Sequence, residues 1–464
     1  MMKILILKEF LSHLRSFKFY PLTVTLVFLF IINGIWFSHQ YQEYRTYFER
    51  NIENSKEMPL GRSYQITPDP GIFCCANNEK QVSSNCWIRL DAMSFWQDGE
   101  AKGNIYAPIM QELDWVFIVQ ILFSLLIILL SYNAISEEAE SKTLTLVAAN
   151  AISRWQIYLG KFISIFLITA AALLVSILTG LITILFINKI PVNGELLVRI
   201  FLFFISSLIY GALFIFIGLG CSILMRHSTT SLLIAISVWL FLVIILPESA
   251  GSIIKRSQTK PSEYELTLQY DELEDGIRKK SIILSEKINA KAFYTEKEKE
   301  ELFEDTRKKF LEIVNENTDQ KRQLADYILI LNVNRYLAQQ RWQSLSPAIL
   351  FRQITETLMY GGDYRYIDFI QQLREFTFQF QEYYDKQNVE KDNWPGVWAN
   401  VNGQEMWISP DYERPEYNHM EFELRPPSIG KSIGNALQKL VILLSALIGV
   451  GVWGFVKFVR CDIR

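Results

Sequence analysis

Histidine is scarce in this chain: four in 464 residues, His13, His39, His227 and His419, none at ligand spacing from another. A zinc or iron centre is therefore not expected, and no metal is assigned. With 46 basic and 49 acidic residues, the net charge of −3 gives no basic field for nucleic acid to recognise. A complete phosphate-binding loop is missing as well. Gly430-Lys431-Ser432 has the ending of one, but the leading glycine of that motif would be residue 425, which is Arg425. The chain is expected to hold neither ATP nor another cofactor, and the tripeptide reads as the start of an interfacial helix.

Cysteine is also sparse. Cys74, Cys75 and Cys86 share one polar stretch, whereas Cys221 and Cys461 fall at the ends of apolar segments. Cys75 and Cys86 form the candidate disulfide if that side of the membrane is oxidising, and three reduced thiols are the alternative.

Apolar sequence is plentiful. Half of the residues are hydrophobic and 14% aromatic, with mean hydropathy +0.14 despite 20% charged residues. Six stretches approach the roughly 20 residues that a helix needs to cross about 30 Å of hydrocarbon. They are Phe19 to Phe37, Trp115 to Tyr132, Phe162 to Ile187, Val198 to Leu224, Ser231 to Leu246 and Leu437 to Val456. The expected fold is mainly α, a polytopic helical membrane protein of about six spans with a mostly helical extracytoplasmic domain.

Residues 1–18 read as an amphipathic elbow helix, with Leu7, Phe10, Leu11 and Leu14 on one face and no cleavage site after Phe37. Lys and Arg beside the spans set the orientation. The N-terminal segment, Lys142, Arg154 and Lys161, Arg226, and the tail residues Lys457, Arg460 and Arg464 fall on one side, which puts both termini in the cytoplasm; Lys189 and Arg199 run against the trend. Segments 38–114 and 247–433 then lie outside, and spans two to five occupy 115–246 with a cytoplasmic loop at 133–161. Residues 434–464 complete the sixth span and tail. No cytoplasmic stretch is long enough for a kinase, cyclase or ATPase domain. Ionisable residues are nearly absent inside the spans, with Glu112, Asp114, Arg199, Glu248 and Lys439 expected at water-reaching ends. That pattern argues against an ion-coupled carrier.

The outer segment divides in two. Helical spacing of Leu266, Tyr270, Leu273 and Ile277, and of Phe303, Phe310 and Ile313, gives charged helices to about residue 343, with a capping-box signature at Thr295 and Glu298. Ser346-Pro347 reads as an N-cap with proline in the first turn, and Gly361-Gly362 separates that helix from one over about Tyr364 to Asp385. Further on, Asn402-Gly403 between Val397-Trp398 and Met406-Trp407 suits a β-hairpin.

The loop after span two is the informative stretch. It runs Ser136-Glu137-Glu138-Ala139-Glu140-Ser141-Lys142-Thr143-Leu144, then Ser153-Arg154, then Gly160-Lys161. It resembles the type-2 ABC exporter (ABC-2 type) permease family, in which an acidic pair, Gly-Thr-Leu, Pro-x-Ser-Arg and Gly-Lys follow in that order. Lys142 stands where glycine is common, and Ala151 where proline is. The elbow through Lys8-Glu9 and the six-span order are similar to the family's. The tail Arg460-Cys461-Asp462-Ile463-Arg464, with Leu345-Ser346-Pro347 and Gly361-Gly362-Asp363, resembles a subgroup with a large extracytoplasmic insert between spans five and six.

The resemblance implies a non-catalytic membrane subunit of an exporter in the bacterial cytoplasmic membrane. Its partners would be a cytoplasmic ABC ATPase that holds ATP and magnesium, a second permease copy or paralogue, the lipid bilayer, and an extracytoplasmic partner for the insert. ATPase-coupling residues would be Glu138, Glu140, Thr143, Leu144, Ser153 and Arg154. The rival expectation is an ATPase-driven subunit that transmits force or regulation outward without conducting cargo.

Overall fold

A computed structural model describes residues 2–17, 19–56, 61–65, 70–75, 85–89, 96–97, 113–143, 153–188, 193–225, 227–249, scattered positions from 265 to 338, and 340–391, 397–401, 404–408 and 422–460. The protein is a helical membrane protein, and among the described residues six helices are long and apolar enough to span a bilayer. An elbow helix α1 (Met2–Arg15) leads into α2 (Phe19–Lys56). The remaining spans are α3 (Trp115–Glu140), α4 (Arg154–Asn188), α5 (Gly194–Leu224), α6 (Ser228–Ser249) and, after the insert, α9 (Ile429–Arg460). Within the insert lie α7 (Pro347–Met359) and α8 (Gly362–Lys391). Every span extends past the apolar window that marked it; α2 continues well beyond Phe37, because nothing in the polar run after it breaks a helix until Pro59.

Among the described residues, strands form two small antiparallel sheets. In the first, β1 (Gly61–Gln65), β2 (Asn85–Arg89) and β3 (Trp96–Gln97) pair in sequence order. In the second, β4 (Val397–Val401) and β5 (Gln404–Ile408) place Trp398 opposite Trp407. That is the expected hairpin; its Asn402-Gly403 turn lies outside the described residues, as does the Thr295 capping box.

The bundle packs closely where side chains are small. A Cβ on Gly218 of α5 would stand 1.8 Å from Ser131 Oγ of α3, and one on Gly451 of α9 would meet the Phe216 ring at 3.0 Å. Without a hydrophobic driving force between helices in lipid, such close contacts and interhelical hydrogen bonds hold the spans together.

Helix α7 departs most from expectation. The sequence places it in an outer domain, yet all but one of its 13 residues are buried, and Ala348, Phe351 and Met359 belong to the main core of the bundle. Phe351 stacks on Tyr210 near the middle of α5, with centroids 4.6 Å apart. At about 20 Å, a 13-residue helix is too short to cross the bilayer, so α7 enters among the spans without traversing them. Its ends are served accordingly. Ser346 Oγ accepts from the Ala348 amide and donates to the Leu242 carbonyl of α6, and Tyr360 closes the C-terminus in the left-handed region at φ 53°. Burial, and then the hydrogen bond that its hydroxyl donates to Asp368, hold the Tyr360 phenol far above its usual pKa.

The buried helix also changes the fate of the charges at the span ends. Asp114 and Arg199 are buried rather than water-reaching. Asp114 caps α3 through the Phe117 amide. Arg199 donates to the carbonyls of Leu358 and Pro427 and to Glu195, pinning α5, α7 and the entry to α9 at one point. Arg352 of α7 lies 2.8 Å from Glu356 and 3.4 Å from Asp363. Ionisable groups are thus present within the bundle, carried in by α7.

Two stretches of the spans are π-helical, Ile118–Phe123 in α3 and Phe241–Ile245 in α6. Their widened turns leave carbonyls that side chains answer. Tyr210 Oη and Ser124 Oγ both donate to the Gln120 carbonyl, and Trp239 Nε1 donates to Ser124 Oγ. In hydrocarbon an unanswered carbonyl is costly, so these bonds are a condition of the π turns.

Cys75 is buried, and a Cβ on Gly361 would lie 2.4 Å from its sulfur, so the loop before α3 rests on the α7–α8 junction. The Cys86 side chain lies outside the described residues, and with it the Cys75–Cys86 pairing.

The α3–α5 contact gives a direct test. Gly218→Ala overpacks against Ser131 and is expected to lower stability in detergent by about 1–3 kcal/mol, with Ser131→Gly in the same chain restoring most of it. Thermal unfolding of both variants measures the two steps.

Candidate functional site

At the bundle end that carries the N-terminus, α1, the end of α3, the start of α4 and the C-terminal ends of α5 and α9 come together. Gly160 of α4 makes the first contact possible, since a Cβ there would fall 2.1 Å from Leu5 of α1. One residue on, Lys161 Nζ sits 2.8 Å from Glu138 Oε1 of α3 and 3.6 Å from Glu9 Oε1 of α1. Its side chain is only 4% exposed. Two carboxylates share one ammonium, and Glu138 Oε2 is buried with no hydrogen-bond partner among the described residues. A cluster of this kind fixes geometry more than it adds net stability, because desolvation offsets most of its attraction.

The elbow helix meets this hub with half of its expected apolar face. Phe10 and Leu14 pack against the core, whereas Ile4, Leu7 and Leu11 are exposed on a second stripe. The predicted single face is two faces, one for the bundle and one for the bilayer.

The loop after α3 is built from side-chain hydrogen bonds. α3 turns at 132–135 and resumes at Ser136, where Ser222 Oγ of α5 accepts from the amides of Ile135 and Ser136, each at 2.9 Å. Asn133 donates to Glu137. Glu140 Oε2 accepts from the Ser228 amide at 3.1 Å and the Ser228 hydroxyl at 3.0 Å, capping α6 from a neighbouring helix, with His227 Nδ1 3.6 Å from its other oxygen. Thr143 Oγ1 donates to the Glu138 carbonyl and shares a hydrogen bond with Ser141. Lys142 stands between them at φ 58°, in the left-handed region that only glycine enters without steric cost. The position where the family pattern carries glycine is therefore the position whose backbone calls for one.

The re-entry into α4 is a reciprocal cap. The Ser153 carbonyl accepts from Gln156, whose side chain accepts in return from the Ser153 amide at 3.2 Å. Arg154 Nη1 donates to the Val459 carbonyl near the end of α9 at 2.5 Å. Of the six residues singled out in sequence, Glu138, Glu140 and Thr143 lie on one turn, Ser153 and Arg154 open α4, and Leu144 lies outside the described residues. Glu138 and Arg154 do not meet each other: the first faces Lys161, the second the α9 carbonyl.

Sequence reasoning passed over Glu9, Ser222 and Ser228 as partners. Glu9 had a legible signal, an acid four residues after Leu5 and thus on the same side of the amphipathic elbow. Ser222 and Ser228 had none, since their partners lie more than 80 residues away in the chain.

Among the described residues, no group of three or more His, Cys, Asp or Glu could hold a metal ion. The hub ties four helices and the elbow helix α1 to one exposed turn. A sequence profile described as ABC-2 family transporter protein matches residues 3–463, and the chain belongs to that family. It is accordingly a membrane permease subunit of an ABC transporter, and membership implies an ABC ATPase partner. No curated protein matches the chain.

Removing the shared cation tests the hub. Lys161→Met leaves two carboxylates facing each other in a largely buried site and is expected to cost about 3–5 kcal/mol. Combining it with Glu9→Gln and Glu138→Gln should recover most of that loss, read by thermal unfolding of the purified protein. Lys142→Gly, in contrast, should stabilise the turn by about 1 kcal/mol.

Proposed function

We propose that this chain is the permease of an exporter driven by a separate cytoplasmic ATPase that docks on the turn from Glu138 to Arg154. The observation that carries the reading is the construction of that turn. The described part of that turn, as far as Thr143, has its backbone fixed from within by Ser222, Glu138 and Glu140, while Thr143 remains exposed. A rigid turn with an outward edge suits a surface on which a partner can push, because a partner shifts an equilibrium only through contacts that differ between states. Glu140, Thr143, Leu144, Ser153 and Arg154 would form the docking edge, and Glu138 would act from behind through Lys161. ATP and magnesium belong to the partner.

In this reading both termini are cytoplasmic, the membrane is the bacterial inner membrane, and a second permease copy or paralogue completes a two-fold complex. Segment 247–433 becomes the extracytoplasmic insert of the subgroup, with α7 as its root in the membrane. If that compartment is oxidising, Cys75 and Cys86 would tie the first outer loop.

One observation favours a second reading, in which the subunit transmits force to an extracytoplasmic partner without conducting cargo. Helix α7 joins the insert rigidly to the spans through Arg199 and Ser346, which is the connection such transmission needs. Deleting the outer insert around α7 while keeping the spans separates the two: substrate efflux that survives favours export with a recruiting insert.

Arg154→Glu tests ATPase docking. It is expected to lower ATPase retention on the purified permease about tenfold, on the scale of 1.4 kcal/mol, or to leave hydrolysis uncoupled from transport. Normal assembly with coupled transport would overturn the docking role. Arg154→Ala serves as the control for loss of the Val459 carbonyl contact alone.

A further inference from the structure

At the other end of the bundle, α9 carries a polar ladder that neither export nor docking uses. Lys431, Asn435 and Lys439 recur at i, i+4 and i+8, which aligns them along one side of the helix. Lys431 and Asn435 are exposed and Lys439 is half-buried. Asn435 Nδ2 donates to Tyr364 Oη of α8 at 2.8 Å, so the middle rung is held by the insert. Below the ladder the same side of the helix continues as exposed Ile442 and Ala446.

Lys439 is the unusual member. An ionisable residue inside an apolar span marks a site whose counter-charge has to be found. The one acidic residue of α7 is Glu356, and that carboxylate is already 2.8 Å from Arg352 Nε. From Lys431 to Lys439 the helix rises about 12 Å, more than the roughly 6 Å depth of one headgroup layer. Two lysines separated by more than that depth can face a lipid phosphate from its two sides. The Lys439 stem can snorkel upward and bring its ammonium to the level of Asn435.

We propose that this face of α9, with Tyr364, binds the phosphodiester of an anionic phospholipid in the leaflet at the α7 end. Lys431 approaches the phosphate from the water side and Lys439 from the acyl side, Asn435 holds Tyr364 in place between them, and the acyl chains lie along Ile442 and Ala446. The inference rests on the chain spanning a membrane and not on the direction of transport or the ATPase surface.

Native mass spectrometry of the full-length protein from nanodiscs of phosphatidylglycerol or phosphatidylcholine with the same acyl chains is the test. The unaltered protein should retain phosphatidylglycerol preferentially. Lys439→Met should lower that retention about fivefold, the change corresponding to about 1 kcal/mol for one basic side chain at an anionic surface, and Lys439→Arg should keep it. Lys431→Met should lower it too, which preserves the test if Lys439→Met fails to fold. Equal retention of the two lipids, or no change in either methionine variant, would overturn the site. Displacement of the bound lipid by millimolar inorganic phosphate would overturn the lipid assignment in favour of a free anion.

Discussion

The structure depends on one constraint: inside hydrocarbon, each backbone amide and carbonyl has to find a partner within the protein. Where the spans are regular, the helix itself supplies the partners. They are irregular at Ile118–Phe123 and Phe241–Ile245, and there the partners come from elsewhere in the chain. Tyr210 and Ser124 answer Gln120, and Ser346 answers Leu242. Ser346 is at the same time the N-cap of α7, so the residue that satisfies one irregular span also begins the helix seated against it. The π turns and the inserted helix are for that reason one structural decision and not two.

The same constraint explains where charge is tolerated. Arg199 lies within a candidate span yet is buried, because its guanidinium meets two carbonyls at element ends and one carboxylate. Carbonyls at the end of α7 and just before α9 are groups that lack helical partners, and an arginine with five donors is suited to collect them. At the opposite end Arg154 does the same for the Val459 carbonyl. Each arginine closes a helix end that belongs to another segment of the chain.

The spans were legible in the sequence because their signal is local: length and apolarity need no knowledge of neighbours. Ser346-Pro347 as a helix start and Gly361-Gly362 as a break were legible for the same reason. The depth of α7 was not. Its sequence, with Arg352, Gln353, Thr355, Glu356 and Thr357, reads as an amphipathic surface helix, and only the placement of Arg199, Tyr210 and Leu242 around it makes burial affordable. The hub was half legible: Glu138 and Lys161 stood out as charges in a short loop, but their pairing across 23 residues, and the return of Glu9 to meet them, depend on Gly160 admitting α1. Lys142 shows the converse. Its departure from the family pattern was visible in sequence, and its meaning became clear only from its positive φ.

Helix α5 links these arrangements. Arg199 at its first turns holds α7 and the entry to α9, and Ser222 near its last turn holds the restart of α3 at the exposed turn. Between them Gly211 and Gly218 keep it in close contact with α3, and Tyr210 keeps it against Phe351. A helix pinned at both ends and packed along its length moves as a body, since packed interiors resist continuous deformation. A shift of the turn at Ser136 would therefore be carried to α7 by α5 as a rotation or translation of the whole helix. The buried α7 is where such a motion would be felt first, because its root at Leu358 is bonded to α5 and its start at Ser346 is bonded to α6.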